Sequence, residues 1–355
     1  MRKLYSFVTF FSIVLLISFA INFYVLLRLC DLFKIKKGLI FWIVVLVCSV
    51  SLIASSILRS HFDNIISRVF YITATNWLGI LWLLFSTLIV YEIVRLFVKI
   101  NPFTAGVLIV TIVTIATIYA MINAQLVRVK ELTIPGNTDL NIVQLSDIHL
   151  GSTSEGFLRR VIEKTNALEP DVVVITGDIA DNYNERAQRI LAKLKDLKAD
   201  VFFVTGNHEM YAGSEKAVKT LVQLNVKVLR NQLVDYNQIQ IIGIDESTNL
   251  QKLGQILGQL NIDESKFCVL LSHRPIEPKI LSDMKIDLAL AGHAHGGQIF
   301  PFNYIVRFYQ KYLSGLYRCD NSYLYITTGT GTWGPRMRLG SRSEIVLVKV
   351  RKATS

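Results

Sequence analysis

The sequence predicts an α/β globular domain preceded by a four-helix transmembrane module. Three observations carry this. Of the 355 residues 52% are hydrophobic, too many for an ordinary soluble chain, and the excess is concentrated in residues 1–127. That region holds four long runs without a charged side chain. Beyond it, short β-like runs alternate with helical patterns of ten or so residues, the order of elements that builds an α/β domain. The expected domains are therefore 1–127, a four-span anchor, and 128–355, the globular part.

The four uncharged runs are residues 4–27, 38–58, 71–91 and 103–124. Each reaches the roughly 20 residues needed to cross a bilayer. Arg2 and Lys3 ahead of the first run imitate the start of a signal peptide. That run is longer than an h-region, lacks a small-residue cleavage site and is followed by three more spans, so it is read as a membrane helix. Helices of a soluble bundle would show a polar face, and these runs show none. The lipid bilayer is thus an expected partner, and the expected location is the cell (inner) membrane, multi-pass. Seven of the eleven net positive charges lie in residues 1–127, largely at the flanks of the runs, which leaves no nucleic-acid footprint. Lys and Arg are balanced between the two sides of the spans, so the side that carries the globular part stays open. Apart from Glu92 at the end of the third run the spans lack charge, which favours anchoring over an ion path. The four cysteines form no CxxC pair, and Cys268, within the apolar run Phe267–Leu271, is expected in the core.

In the second half, Asn141–Leu145 runs into SDIHLG, Val172–Thr176 into GDIAD, Val201–Thr205 into GNHEMY, Val269–Leu271 into SHRP, and Leu288–Leu290 into AGHAHGGQ. Five expected strands end in polar loops, the place where α/β folds bind ligands. Helices are expected over Phe157–Leu168, Glu185–Leu197, Ser214–Leu224 and Leu250–Leu260, with a last strand over Ile345–Val350. The stretch IPGNTD (134–139) is the expected join between membrane and globular parts.

Five of the six histidines, His149, His208, His273, His293 and His295, fall in these loops together with Asp147, Asp178 and Asn207. In AGHAHGGQ, extended backbone would put His293 and His295 on one side, and the glycines admit a close approach. Taken alone, that octapeptide also fits a glycine-rich loop with hydrogen-bonded histidines. Carboxylate, imidazole and amide oxygen together suit Mn²⁺, Fe²⁺ or Zn²⁺, whereas the lack of thiolates argues against structural zinc and the imidazoles against calcium.

Read in order, Asp147-Ile148-His149, Gly177-Asp178, Gly206-Asn207-His208, Ser272-His273 and Gly292-His293-Ala294-His295 resemble the DxH, GD, GNH, His and GHxH blocks of the calcineurin-like metallophosphoesterases. The resemblance implies a four-layer α-β-β-α sandwich with two divalent metal ions at one end. It implies Asp147, His149 and His295 on one ion, Asn207, His273 and His293 on the other, and Asp178 between them. It further implies a metal-dependent phosphoric ester hydrolase in which solvent attacks a phosphomonoester or phosphodiester and His208 gives the leaving oxygen a proton. Asp181, three residues after Asp178, would orient His208; a solvated turn carboxylate is the other reading. The protein Ser/Thr phosphatases of this superfamily carry arginine where this chain has Asn182, which counts against a protein substrate.

Phosphate recognition then falls to Arg336, Arg338 and Arg342 in TTGTGTWGPRMRLGSRSEI (327–345), unless these form a solvated basic loop. The GTG in this stretch precedes no helix and lacks a P-loop lysine. This ending, with GHAHGGQ, resembles the membrane-associated bacterial branch of the superfamily. Some of its members act on envelope phosphoesters, and others hydrolyse a UDP-linked diacylglucosamine. A lipid-linked or cell-envelope substrate is therefore expected. The aromatic and basic stretch IFPFNYIVRFYQKYLSGLY (299–317) is either a headgroup contact or a packed surface loop. With every ligand position filled, a catalytically inactive metal-binding membrane sensor or scaffold is the weaker alternative.

Overall fold

The structure, a computed structural model, describes residues 2–352. It separates into two compact units, Met1–Ile122 with Gly334–Met337, and Asn123–Trp333 with Arg338–Ser355.

The first unit is built on α1 (Arg2–Leu32), α2 (Leu39–His61), α3 (Ile65–Val94) and α4 (Pro102–Gln125). All four are long and apolar enough to cross a membrane. Even the 23 residues of α2 span roughly 35 Å at 1.5 Å per residue, more than a hydrocarbon core. Asn64 caps α3 by accepting from the Ser67 amide, while the Ser67 hydroxyl accepts in return from Asn64 N–H. Glu92 is neutralised between Arg28 and Arg95, each 2.6 Å away. The short stretch Gly334–Met337 clusters with this unit, and the Arg336 amide donates to Asn76 Oδ1 at 2.9 Å.

The second unit runs β1 (Arg128–Gly136), β2 (Leu140–Leu145), α5 (Glu155–Ala167), β3 (Val172–Thr176), α6 (Glu185–Leu191), β4 (Asp200–Val204), α7 (Asn207–Ala212), α8 (Ser214–Val222), β5 (Lys227–Val228), β6 (Gln232–Tyr236), β7 (Ile239–Gly243), α9 (Leu253–Leu257), β8 (Phe267–Leu271), α10 (Pro278–Asp283), β9 (Leu288–Ala291), α11 (Phe302–Tyr309), β10 (Gly315–Cys319), β11 (Ser322–Ile326) and β12 (Glu344–Lys352). One sheet has the order β1-β12-β2-β3-β4-β5 and the other β10-β11-β9-β8-β7-β6.

The two-residue period of a strand sorts their side chains into layers. Val143, Leu145, Val173, Ile175 and Phe203 face α5, α6 and α8. Their neighbours Ile142, Val172, Val174, Phe202 and Val204 meet Ile241, Val269, Leu271, Leu288 and Leu290 of the second sheet. On that sheet's far side Ile242, Cys268, Leu270 and Ala289 pack with Leu253, Leu257 and Leu281 of α9 and α10. The result is the four-layer α-β-β-α sandwich. Cys268 sits in that outer core, where burial pushes its thiol up to about 12.

Several expected boundaries shift. The join expected at 134–139 is instead the end of β1 and the turn into β2. β1 pairs in parallel with β12 from Arg128–Glu344 to Gly136–Lys352, and as an edge strand it tolerates Pro135. The helix expected over Leu250–Leu260 shrinks to a 3-10 turn and α9, since Gly254 and Gly258 weaken helical propensity there. The aromatic stretch folds into α11, β10 and the segment between them, leaving Phe308 and Tyr309 of α11 exposed.

β2, β3 and β4 are mutually parallel, as are β7, β8 and β9, with β11 parallel to β9. Loops that follow these strands therefore leave each sheet at one edge.

Candidate metal centre

The loops after β2, β3, β4, β8 and β9 bring the nine expected residues together. Asp147, His149 and His295 converge, as do Asp147, Asp178 and His273, and His149, Asp181 and His208, each trio with its ligand atoms within 4.8 Å of one another. His273 Nε2 also lies 3.0 Å from Asn207 Oδ1 and 3.1 Å from His293 Nδ1. Asp178 Oδ2 is central, 3.6 Å from His149 Nε2 and 3.3 Å from His273 Nε2.

Backbone strain concentrates here. Asp147, His149, Asp178, His293 and His295 all have positive φ, between 49° and 80°. Side chains other than glycine adopt this region only when surrounding contacts over-determine it, at a cost of about 1 kcal/mol or more each. Those contacts are present: the Asp147 amide donates to Gly177 O (3.1 Å), the His149 amide to Asp178 O (3.0 Å), and the His293 amide to the Asp147 carboxylate (3.1 Å).

The outer ring nitrogens are committed to acceptors. His149 Nδ1 faces Asp181 Oδ1 at 2.9 Å and His273 Nδ1 faces Thr176 O at 2.9 Å. A proton on each Nδ1 leaves the inward Nε2 with its lone pair, the tautomer a metal ligand needs. His149 Nε2 indeed points at His295 Nε2, 3.1 Å away.

Electrostatics agree with a cation site. Burial would raise the Asp178 and Asp181 carboxyls, yet His273 beside the first, and the hydrogen bonds of His149 and His208 to the second, hold both well below the usual range. Burial pushes His295 down to about 3 and His293 to about 4, so both rings are neutral at pH 7. His273 is drawn up to about 10 despite burial, chiefly by Asp178. The negative potential that holds this proton would equally attract a divalent cation, and the donor set suits one.

Glycine clears the space. A Cβ on Gly292 would lie 2.1 Å from Ser146 Oγ and 2.3 Å from Asp147 Oδ2. Gly292→Ala is thus expected to displace the Asp147 carboxylate and weaken metal binding about tenfold or more, measured by equilibrium dialysis. Unchanged affinity would mean that this carboxylate is not held by close packing.

Two expectations about supporting residues change. Asp181 Oδ1 is closer to His149 Nδ1 (2.9 Å) than to His208 Nδ1 (3.4 Å), so it fixes both rings and not His208 alone. The expectation that Arg338 binds phosphate is overturned by its burial: it is 0% exposed. Its guanidinium donates to the carbonyls of Gly331 (2.6 Å), Thr328 (2.7 Å) and His295 (3.3 Å), and Nη2 lies 3.4 Å from His295 Nδ1. It braces the His295 loop. Arg336 clusters with the helical unit and Arg342 is exposed on the loop before β12.

Glu209 was not foreseen. Fully buried, it accepts from the amides of Asp178 (2.8 Å), Ile179 (3.1 Å) and Gly206 (2.8 Å) and from the Tyr183 hydroxyl (2.8 Å). Its place three residues after Gly206 is the spacing of a helix capping box, the signal that was available. Tyr211 and Trp333, 79% and 53% exposed, flank the His208 ring at 5.7 Å each. Gln298, from the glycine-rich octapeptide, brackets the Trp333 backbone through two 3.1 Å hydrogen bonds.

Residues 140–297, which contain this centre, match the family model of the calcineurin-like phosphoesterases. An uncharacterized metallophosphoesterase of Campylobacter jejuni is 36% identical over 254 residues, 68% of each chain. The chain belongs to the calcineurin-like phosphoesterase family. An uncharacterized metallophosphoesterase of Aquifex aeolicus is 31% identical over 66% of this chain and 95% of its own. A Bos taurus transmembrane protein with metallophosphoesterase domain is 34% identical over 62% of this chain and 54% of its own. The chain spans 60% of the length of a Helicobacter pylori relative, 34% identical. As a calcineurin-like phosphoesterase, this chain is a metal-dependent phosphoester hydrolase with helices long and apolar enough to cross a membrane.

Proposed function

We propose a multi-pass, membrane-anchored dinuclear hydrolase, its anchor in residues 1–127 and its catalytic domain in 128–355, that cleaves a phosphomonoester or phosphodiester of a lipid-linked or cell-envelope molecule. The observation that carries the dinuclear part is Asp178: one carboxylate oxygen faces the Nε2 atoms of two histidines, His149 and His273, that belong to different ligand groups. Asp147, His149 and His295 would hold one divalent ion, and Asn207, His273 and His293 the second. Mn²⁺, Fe²⁺ or Zn²⁺ suits these donors. When bound, such a pair neutralises phosphoryl charge and lowers the pKa of water near it.

The remaining chemistry belongs to side chains. Solvent would be the nucleophile, as metal-assisted hydrolysis provides, and Ser146 Oγ beside the cluster is engaged with Asp147 Oδ2 at 2.6 Å. His208, with Nδ1 turned to Asp181, keeps Nε2 for delivering a proton to the leaving oxygen. The lipid-linked part of the reading is supported by the spans, which tie the chain to a bilayer, and by exposed Phe308 and Tyr309 beside Arg307, a composition suited to headgroups.

Dialysis against a chelator is expected to abolish hydrolysis of bis(p-nitrophenyl) phosphate, and Mn²⁺ to restore it, with two ions recovered per chain. Activity that survives complete metal removal would falsify the proposal.

A further inference from the structure

β7 and β8 are parallel neighbours, so the loops leaving their carboxyl ends emerge at the same edge of the second sheet. The first loop carries Glu246, and the second carries His273 and Arg274. These three, with Asp245 and Ser272, line one small cleft beside the metal cluster. The Glu246 side chain is 5% exposed, and its amide donates to Thr205 Oγ1 at 3.0 Å. Its Oε1 lies 2.5 Å from Arg274 Nη2.

The Arg274 side chain, by contrast, is 50% exposed, and among the described residues Glu246 is the one partner of its guanidinium. Burying a carboxylate close to Asp178 is costly, and a solubilising surface arginine requires no such partner. What the pair achieves is placement. An ion pair at one nitrogen, without hydrogen-bond geometry, keeps the guanidinium charge beside a metal-ligand candidate on the same loop, with its other N–H donors available to an anion. The positive charge is felt within the cluster: after burial and His273, Arg274 is a further cause that holds His293 down at about 4. Arg338 is buried in carbonyls, so it offers no comparable fork at this edge.

We propose that Arg274, placed by Glu246, grips a non-bridging phosphate oxygen of the substrate. This rests on the phosphoesterase reading of the same centre and assigns phosphate recognition to the loop after β8. Glu246 acts through Arg274 and is a positioning residue. The ligand chemistry is that of a phosphoryl anion, whatever organic group the ester carries.

The test uses the full-length, metal-loaded chain with inorganic phosphate as the probe, followed by calorimetry and as a competitive inhibitor. Arg274→Gln is expected to weaken phosphate binding about ten- to a hundredfold, the range for a hydrogen bond to a charged group. KM rises with it, while metal content stays at that of the unsubstituted chain. Arg274→Lys should recover part of the affinity. Glu246→Gln should cost a few-fold in phosphate affinity with kcat little changed. Unchanged phosphate affinity in Arg274→Gln at full metal content overturns the proposal. So does loss of metal from both Arg274 variants, which would assign the side chain to the ligand frame. A chain that binds phosphate through Arg274 yet hydrolyses no ester would sink the hydrolase reading and leave this one standing; a hydrolase indifferent to Arg274 does the reverse.

Discussion

Asp178→Asn is expected to remove both ions and to lower phosphoester hydrolysis by about a thousandfold or more. Loss of a group that merely supports a metal ligand typically costs about ten- to a hundredfold in affinity or activity, and Asp178 is placed to serve as a ligand to two ions at once. The substitution is nearly isosteric. The side-chain carbonyl still accepts from the His208 amide, as Oδ1 does at 2.8 Å, and the residue's own N–H stays on Glu209. What changes is one negative charge and the Oδ2 acceptor that faces His149 and His273. An amide N–H₂ in that position would be a donor aimed where lone pairs converge. Asp147→Asn supplies the comparison, because the proposed assignment gives Asp147 to one ion with His295, whose Nε2 is 3.4 Å from its Oδ1, although its carboxylate also approaches Asp178 and His273. Metal analysis of the two variants should therefore differ, with no ion retained in Asp178→Asn and one in Asp147→Asn. Two ions in Asp178→Asn would remove the bridging role and with it the dinuclear reading.

What could be read from the sequence follows from how tightly chemistry restricts residue type. β3, β8 and β9 are buried along their whole length and appear as nearly unbroken apolar runs, while β4 does so after exposed Asp200 and β2 is apolar only around Asn141 and Gln144. β7 is as buried, but Gln240 interrupts its run, and only the fold shows why that is tolerated: its side chain accepts from the Asp263 amide at 2.8 Å. β6 and β10 lie at a sheet edge, where QLVDY and GLYRC need no apolar signal because half of each strand meets solvent. In the centre, imidazoles and carboxylates are the residue types that bind a divalent ion, so their positions after strands were visible. Glu209 serves backbone amides, a task many polar residues could perform, and it left only a capping-box spacing. Arginine is still less legible. Arg338 and Arg342 read alike in sequence, yet one is buried by carbonyls that distant loops bring to it and the other is exposed. Arg274 was overshadowed by its neighbour His273, and its pairing with Glu246 depends on the register of β7 with β8.

His208→Ala should lower kcat about 10²- to 10⁴-fold on an alkyl phosphoester while leaving two ions bound. The ring is not among those aimed at the shared Asp178 oxygen; it stands edge-on to His149 at 4.6 Å, turns Nδ1 to Asp181, and lies between two exposed aromatics. Removing it leaves the hydrogen bond of His149 to Asp181 in place, which is why the metal should remain. Proton delivery matters in proportion to how poor the leaving group is. An alkoxide cannot depart unprotonated near neutral pH, whereas a nitrophenolate departs as the anion. The same substitution should therefore cost much less on a nitrophenyl ester than on an alkyl ester of equal charge. A merely structural histidine would give equal losses on both, since misplacing the phosphoryl group slows every ester alike. Equal losses at full metal content would assign His208 to substrate positioning and require another proton donor, for which exposed Tyr211, its ring 5.7 Å from that of His208, would be the next to replace.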